Sequence, residues 1–305
     1  MSLYVLKRLL VIIPTMFAVS LVVFGVLQMA PGDPALVLAG DDATDADIQA
    51  IRNKYNLDAP IYEQYATWVG QVVQGDLGRS LVTRRTVSEE IKSRAMPTLK
   101  LAALAILIAV VGGSAVGVIA ARHRGGPFDY FSMIFALIGA SMPAFWMGLI
   151  LIMFFAVRLK WLPTGGDDGF KSLVLPAITL GMSSMAIIAR MTRSSVPEVD
   201  RREYVRTARA KGLTDMAVLN RHVLKNAFIP VLTVIGIQFG GLLAGTVVTE
   251  TVFARPGLGR LLVTGIQSRD YPVVQGTLIV LALVLALVNL LIDLNYSLLD
   301  PRLRR

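Results

Sequence analysis

Six runs of this 305-residue chain, at positions 9–29, 101–121, 131–157, 173–189, 228–249 and 271–292, contain no Asp, Glu, Lys or Arg. Crossing roughly 30 Å of hydrocarbon takes about 20 helical residues. Lipid offers no partner for a bare backbone amide, so a lone crossing segment has to be a helix. The runs therefore predict six transmembrane helices. Composition agrees, with 54% hydrophobic and only 17% charged residues and a mean hydropathy of +0.62. A water-facing surface needs nearer a quarter charged residues. The Pro and Gly inside the runs do not demote them, because both are commoner in membrane helices than in soluble ones. The fold class expected is an all-α polytopic membrane protein.

The run 9–29 follows Lys7 and Arg8, as a signal peptide would. Its 21 apolar residues exceed an h-region of about 7–15, and no small-x-small site ends it, so a retained anchor is expected. An even number of crossings puts both termini on one side. The termini (1–8 and 293–305) with the segments 122–130 and 190–227 hold sixteen Lys and Arg, against six in the opposite segments 158–172 and 250–270. The positive-inside rule then places both ends and 190–227 in the cytoplasm. The segment 30–100, too long to obey that rule, becomes an external loop domain between the first two helices. The net charge of +9 has the same origin. Nucleic-acid binding is not expected, because aromatic stacking platforms are missing. The chain has no cysteine, which excludes disulfides and a cysteine nucleophile.

The external segment looks folded. Thr44 is placed to cap a helix over 45–55, Ile61, Tyr65, Trp68 and Val72 share one helical face, and Thr86-Val-Ser-Glu89 is a capping-box pattern. Two readings stand, an external cap on the membrane helices or a dock for an external partner. In 190–227, nine basic residues are interleaved with apolar ones. Tyr204, Ala208 and Leu213 fall near helical spacing, Gly212 ends one helix, and Thr214 with Asp215 starts the next. A helix, a glycine turn and a second helix make a protrusion suited to a groove on another protein.

These residues resemble a known family. Glu203-Tyr-Val-Arg-Thr-Ala-Arg-Ala-Lys-Gly212, then Leu213 and Arg221-His-Val-Leu-Lys-Asn-Ala227, is similar to the EAA loop of ABC importer permeases of the dipeptide, oligopeptide, nickel and glutathione type, first-permease form. Pro31-Gly-Asp-Pro34, Gly75-Asp-Leu-Gly78, Trp161-Leu-Pro163, Leu175-Pro-Ala177, Arg255-Pro-Gly-Leu-Gly-Arg260, Arg269-Asp-Tyr-Pro272 and Leu299-Asp-Pro-Arg302 follow the same subfamily in order. The stretch from Ser80 to Leu99 most resembles its glutathione and short-peptide branch. One departure is that Arg206-Thr207-Ala208 stands where many ABC permeases have Glu-Ala-Ala, so a Glu-based bridge to the ATPase is not implied.

The resemblance implies a type I ABC importer permease fold in the bacterial inner membrane. It implies a second homologous permease, two cytoplasmic ATPase subunits and a periplasmic or extracellular substrate-binding protein as partners, besides membrane lipid. ATP and Mg would be bound by the ATPases, and this chain itself would bind no cofactor and catalyse nothing. Its residues agree with that expectation. No G-x-x-x-x-G-K-[ST] loop is present, Gly257-Leu-Gly259-Arg-Leu-Leu262 lacks the third glycine of a dinucleotide turn, and two histidines, His123 and His222, cannot make a three-ligand metal centre. Coupling to the ATPase is expected through Tyr204, Arg206, Thr207, Ala208, Arg209, Ala210, Lys211, Gly212 and Leu213, with Ala208 and Ala210 allowing close approach and the basic residues meeting acids on the partner.

A translocation pathway is expected near Met142, Pro143, Gln238, Gly241, Gly245 and Glu250. Gly236 with Gly240 and Gly241 with Gly245 give either small-x-x-x-small packing surfaces or a backbone-lined path. The rival function is a secondary transporter driven by an ion gradient. Such proteins place acids or histidines near the bilayer midplane, and the six runs have none.

Overall fold

A computed structural model describes residues 2–28, 35, 44–55 and 58–299. Pro31-Gly-Asp-Pro34 and residues 300–302 of the C-terminal motif lie outside them. Among the described residues the regular structure is helical, with one isolated antiparallel bridge between Arg79 and Thr86. In chain order the helices are α1 (Ser2–Gln28), α2 (Asp45–Tyr55), α3 (Ile61–Val73), α4 (Val87–Arg122), α5 (Pro127–Ser141), α6 (Ala144–Leu151), α7 (Lys171–Asp200), α8 (Glu203–Ala210), α9 (Asp215–Val218), α10 (Lys225–Val252), α11 (Leu258–Gln267) and α12 (Tyr271–Leu299). Four helical stretches are long and apolar enough to cross a membrane, and the bent pair α5 and α6 makes a fifth if counted as one span. The apolar part of α1, Leu10–Val26, is shorter.

The sequence explains the bend. α5 stops at Ser141, and Met142 is extended at φ −76°, ψ 129°. Pro143 follows, and a proline ring disfavours helical geometry in the residue before it and has no amide hydrogen to donate. The chain restarts as α6 at 110° to α5. The run 131–157 is therefore two helices, the second finishing in a π-helical stretch, Ile152–Arg158. In contrast, α7 does not end with its apolar run at 189 but continues to Asp200. Its last third carries Thr192, Ser195, Val196 and Val199 on an inward face, so buried contacts keep it wound past its first arginines. α9 passes through a π-helical turn, Leu219–Leu224, into α10, giving one continuous stretch Asp215–Val252.

The chain forms two compact units. The first joins residues 1–96 to 257–287. Its core is Val87, Ile91, Leu258, Leu261 and Val273, so the start of α4 packs on α11 and the start of α12. α3 lies on α1, with the Phe24 ring centroid 5.4 Å from Tyr65 and 5.7 Å from Trp68, and the Ser20 and Tyr65 hydroxyls 2.8 Å apart. Tyr65 and Trp68 thus pack against α1. Ile61, assigned to the same face, is 64% exposed.

The second unit joins 97–256 to 288–305. Leu101 and Ala105 of α4, Ala177 and Leu180 of α7 and Leu242 of α10 form one cluster, and Ala109, Ile188 and Val231 a second on the same three helices. Apolar side chains gain little from leaving lipid for a protein interior, so close backbone contact has to hold such helices together. It does so at glycines on α4 and α7. A Cβ on Gly113 would stand 2.7 Å from the Met185 carbonyl oxygen, one on Gly117 2.6 Å from that of Ala189, and one on Gly181 2.6 Å from that of Ala105. Of the α10 glycines, Gly245 approaches only the tip of Leu180, and Gly241 faces open space.

Candidate functional site

The segment 203–227 is anchored from within. Val205 and Ala208 of α8, Val218, Val223 and Ala227 pack with Val196 and Val199 of α7 and Ala121 of α4 in one buried cluster. Lys211 ends α8, Gly212 turns at φ +81°, and the Thr214 side chain accepts from the Ala217 amide to start α9. A left-handed residue without Cβ suits that turn. The two helices are thereby fixed to the ends of three long ones.

Burial corrects one residue assignment, and ion pairs within the chain bear on a second. Ala208, expected as a point of approach for a partner, is 6% exposed because it faces the chain's own core beside Val205. Arg209, expected to meet a partner's acid, donates to Asp200 at 2.7 Å and lies 3.6 Å from Asp215. The outward residues are Arg206, Thr207, Arg209, Ala210, Lys211 and Gly212, with apolar surface at Tyr204, Leu213 and Met216. Met216, the most exposed of those three at 57%, was missing from the expected set although it stands one position into the second helix.

The expected pathway residues lie on α10 and at the break between α5 and α6. Gln238 donates to the Ser184 hydroxyl at 3.2 Å, tying α10 to α7. Met142 and Pro143 form the break between α5 and α6. Glu250, expected near the translocation pathway, is 0% exposed and accepts from the Thr98 hydroxyl at 2.6 Å. It is a buried tie between α10 and α4 rather than a lining group, because a carboxylate without water needs such donors.

Three polar ties went unread. Arg193 donates to both carboxylate oxygens of Asp129, fastening α7 to α5. Arg255, 1% exposed, donates to the Gly166 carbonyl at 2.8 Å, the Ser172 carbonyl at 3.2 Å and the Asp167 carboxylate. It follows Ala254, which has φ +50°, and Gly165 lies so near Phe253 that a Cβ would fall 2.0 Å from its carbonyl oxygen. Arg255 of the glycine-rich motif is thus an internal clamp on the 165–172 loop. In the first unit Asp270 holds the 80–82 loop in the same manner, accepting from the Ser80 hydroxyl and the Leu81 amide. Their partners lie 64 to 190 positions away, beyond the reach of local spacing.

The family model for the inner membrane component of binding-protein-dependent transport systems matches residues 113–305, and that for the N-terminal part of such components matches 1–102. The chain belongs to this family. This permease is 47% identical over 301 residues to the glutathione transport system permease protein GsiC of Escherichia coli strain K12, covering 99% of this chain and 98% of that one. It is 46% identical, with the same coverage, to the protein of that name in Shigella boydii serotype 4. Among solved structures, the MetNI methionine ABC transporter in inward-facing conformations matches with a TM-score of 0.59 at 20% identity, covering 69% of this chain and 96% of that one. An amino acid ABC transporter with histidines gives a TM-score of 0.53 at 18% identity over 70% and 94%. These two show the fold. The chain is a multi-pass inner-membrane permease subunit of an ABC importer.

Proposed function

We propose that this permease forms half of a translocation pathway for glutathione or similarly short peptides. A second homologous permease completes the pore, two ATPase subunits hold ATP and Mg on the cytoplasmic side, and an external binding protein delivers cargo. The observation that carries the cargo reading is the 47% identity, over 99% of this chain, to glutathione transport permeases. Six crossings follow if the four long helical stretches are joined by α1 and by the bent pair. The basic-residue count then puts both termini and the α8–α9 protrusion in the cytoplasm, and residues 30–100 outside.

Energy passes between chains mechanically. The protrusion seats Tyr204, Leu213 and Met216 in a cleft of one ATPase, where Arg206 and Lys211 meet acidic groups, and Thr207, Ala210 and Gly212 complete the contact surface. Closure of the ATPase pair moves α8 and α9, and the shared core transmits that motion to α7 and α10. Met142, Pro143, Gln238, Gly241 and Gly245 border the pathway on the side the second permease closes.

The test is reconstitution. Proteoliposomes holding both permeases and both ATPases should take up labelled glutathione only with ATP inside and binding protein outside. Accumulation against a gradient by this chain alone, without nucleotide, would overturn the reading.

A further inference from the structure

The apolar runs fix a level on three helices of the second unit. The run on α4 ends at 121, the one that opens on α5 begins at 131, and the one on α7 ends at 189. Charge begins just past each, at Arg122, Asp129 and Arg190. These positions mark one edge of the hydrocarbon layer. At that edge the three helices leave a cleft, walled by Val116 and Ala120 of α4, Met133 and Ala136 of α5 and Ala189 of α7. Arg190 and Arg193 stand in the same lining. Val116 and Ala136 each lie five residues inside the edge of their run, so the walls reach about 8 Å into the hydrocarbon.

Charge at the cleft is unbalanced. Arg193 gives its Nε and Nη2 to the two oxygens of buried Asp129, and the Gly125 amide also donates to that carboxylate at 3.0 Å. One arginine thus cancels the one acid of the segments 121–132 and 189–194, which hold four arginines. Arg190, one turn earlier on α7, is exposed and makes no hydrogen bond or ion pair with any described residue. Arg122 and Arg124 are exposed on the adjoining turn. Beside them Phe128, Tyr130 and Phe131 also face outward, as aromatic residues do at a membrane–water boundary. Water does not suit the cleft, because it needs two to four polar partners and these walls are apolar. A dissolved anion suits the arginines but gains nothing from the walls. A phospholipid has both parts at the right heights, with its phosphate at the edge of the apolar runs and its chains below.

We infer that α4, α5 and α7 hold one anionic phospholipid, its phosphate on Arg190 and the start of an acyl chain against Val116, Met133 and Ala136. Arginine binds phosphate through paired N–H donors, and a basic pocket between membrane helices is a known form of headgroup site. Asp129 is a positioning residue, which draws the Arg193 guanidinium toward α5 and leaves Arg190 as the ligand. The surplus of arginines at the cleft selects a headgroup with a net negative charge over a zwitterionic one. The site requires only that these three helices cross lipid, and it is indifferent to cargo, nucleotide and the side on which the termini lie.

The probes are dioleoyl phosphatidylglycerol and dioleoyl phosphatidylcholine, which share their chains and differ in headgroup charge. Each is titrated onto the detergent-purified complex, and bound lipid is counted by native mass spectrometry. The wild-type complex should bind the glycerol lipid about tenfold more tightly, the scale of one charge-assisted contact. Arg190→Gln should lose that preference, and Arg190→Lys should keep part of it. Because Arg190 is exposed and pairs with no described residue, both variants should melt at the wild-type Tm. Arg201→Gln removes an equal charge from an exposed position outside the cleft and should keep the full preference. Val116→Phe, which fills the cleft, should weaken both lipids alike. Equal binding of the two lipids by the wild type, an undiminished preference in Arg190→Gln or an equal loss in Arg201→Gln overturns the site. Displacement of the glycerol lipid by inorganic phosphate makes it a site for dissolved anions and overturns the lipid. Failure of the complex to retain either lipid would mean that a partner subunit covers the cleft, and overturns it too.

Discussion

Two glycines show how one residue type serves opposite needs. Gly212 sits at φ +81° with nothing within 4 Å of a would-be Cβ, so only its backbone conformation restricts replacement. A left-handed conformation costs an ordinary L-residue about 1–2 kcal/mol, with Asn paying less than most. Gly212→Val is expected to insert and assemble but to hydrolyse ATP without importing peptide, and Gly212→Asn to retain most coupling. Parallel assays of phosphate release and glutathione uptake in one vesicle preparation check this, and full uptake by the Val variant refutes the lever. Gly117 has an ordinary helical backbone but no room, since a Cβ would lie 2.5 Å from that of Thr192. Gly117→Leu should separate α4 from α7. Overpacking typically costs about 1–3 kcal/mol, to be seen as a lower Tm of the detergent-purified complex and a lower yield. An unchanged Tm would show that the glycine contact is not what holds the pair.

At the level of helices, the apolar runs marked where long helices lie, because absence of charge over about 20 residues is a local property. The break at Met142-Pro143 was equally local and announced itself as a proline inside a run. The continuation of α7 to Asp200 was hidden, because Arg190 and Arg193 looked like the end of a crossing while Thr192 and Val196 stayed on the packed face. Gly113 and Gly117 stand four residues apart inside the second run, the same spacing as the glycine pairs of α10, and spacing alone does not tell the close contact from the open one. The paired carboxylates were not legible at all, since nothing near Arg255 in sequence names Asp167. That tie makes its own prediction. Arg255→Ala removes three acceptors' donor at once, and the 165–172 loop should open, exposing Lys171 to trypsin. About tenfold faster cleavage corresponds to roughly 1.4 kcal/mol of lost local stability. Arg255→Lys, a point charge without the fork, should fall between. Equal cleavage of all three proteins would mean that the glycine contact at Gly165 alone holds the loop.

For the molecule as a whole, orientation decides whether the proposed arrangement can work. The protrusion needs an ATPase on its side of the membrane, and residues 30–100 need the outer face. Sixteen basic residues against six give the sense of the asymmetry, although part of that excess comes from segment length alone. The absence of cysteine turns this into a clean measurement, because any thiol in the chain is one that was introduced. Val82→Cys and Met216→Cys suit it, both side chains being well exposed, at 62% and 57%. Neither replaces a charge or a hydrogen-bonding side chain. A membrane-impermeant maleimide added to intact spheroplasts should label the first and spare the second, and permeabilisation should bring the second up to the first. Labelling of the position-216 thiol in sealed cells would put α8 and α9 outside, where no nucleotide is available to drive them, and the lever would fail. Labelling of both thiols only after permeabilisation would leave the lever standing while removing residues 30–100 from the outer face.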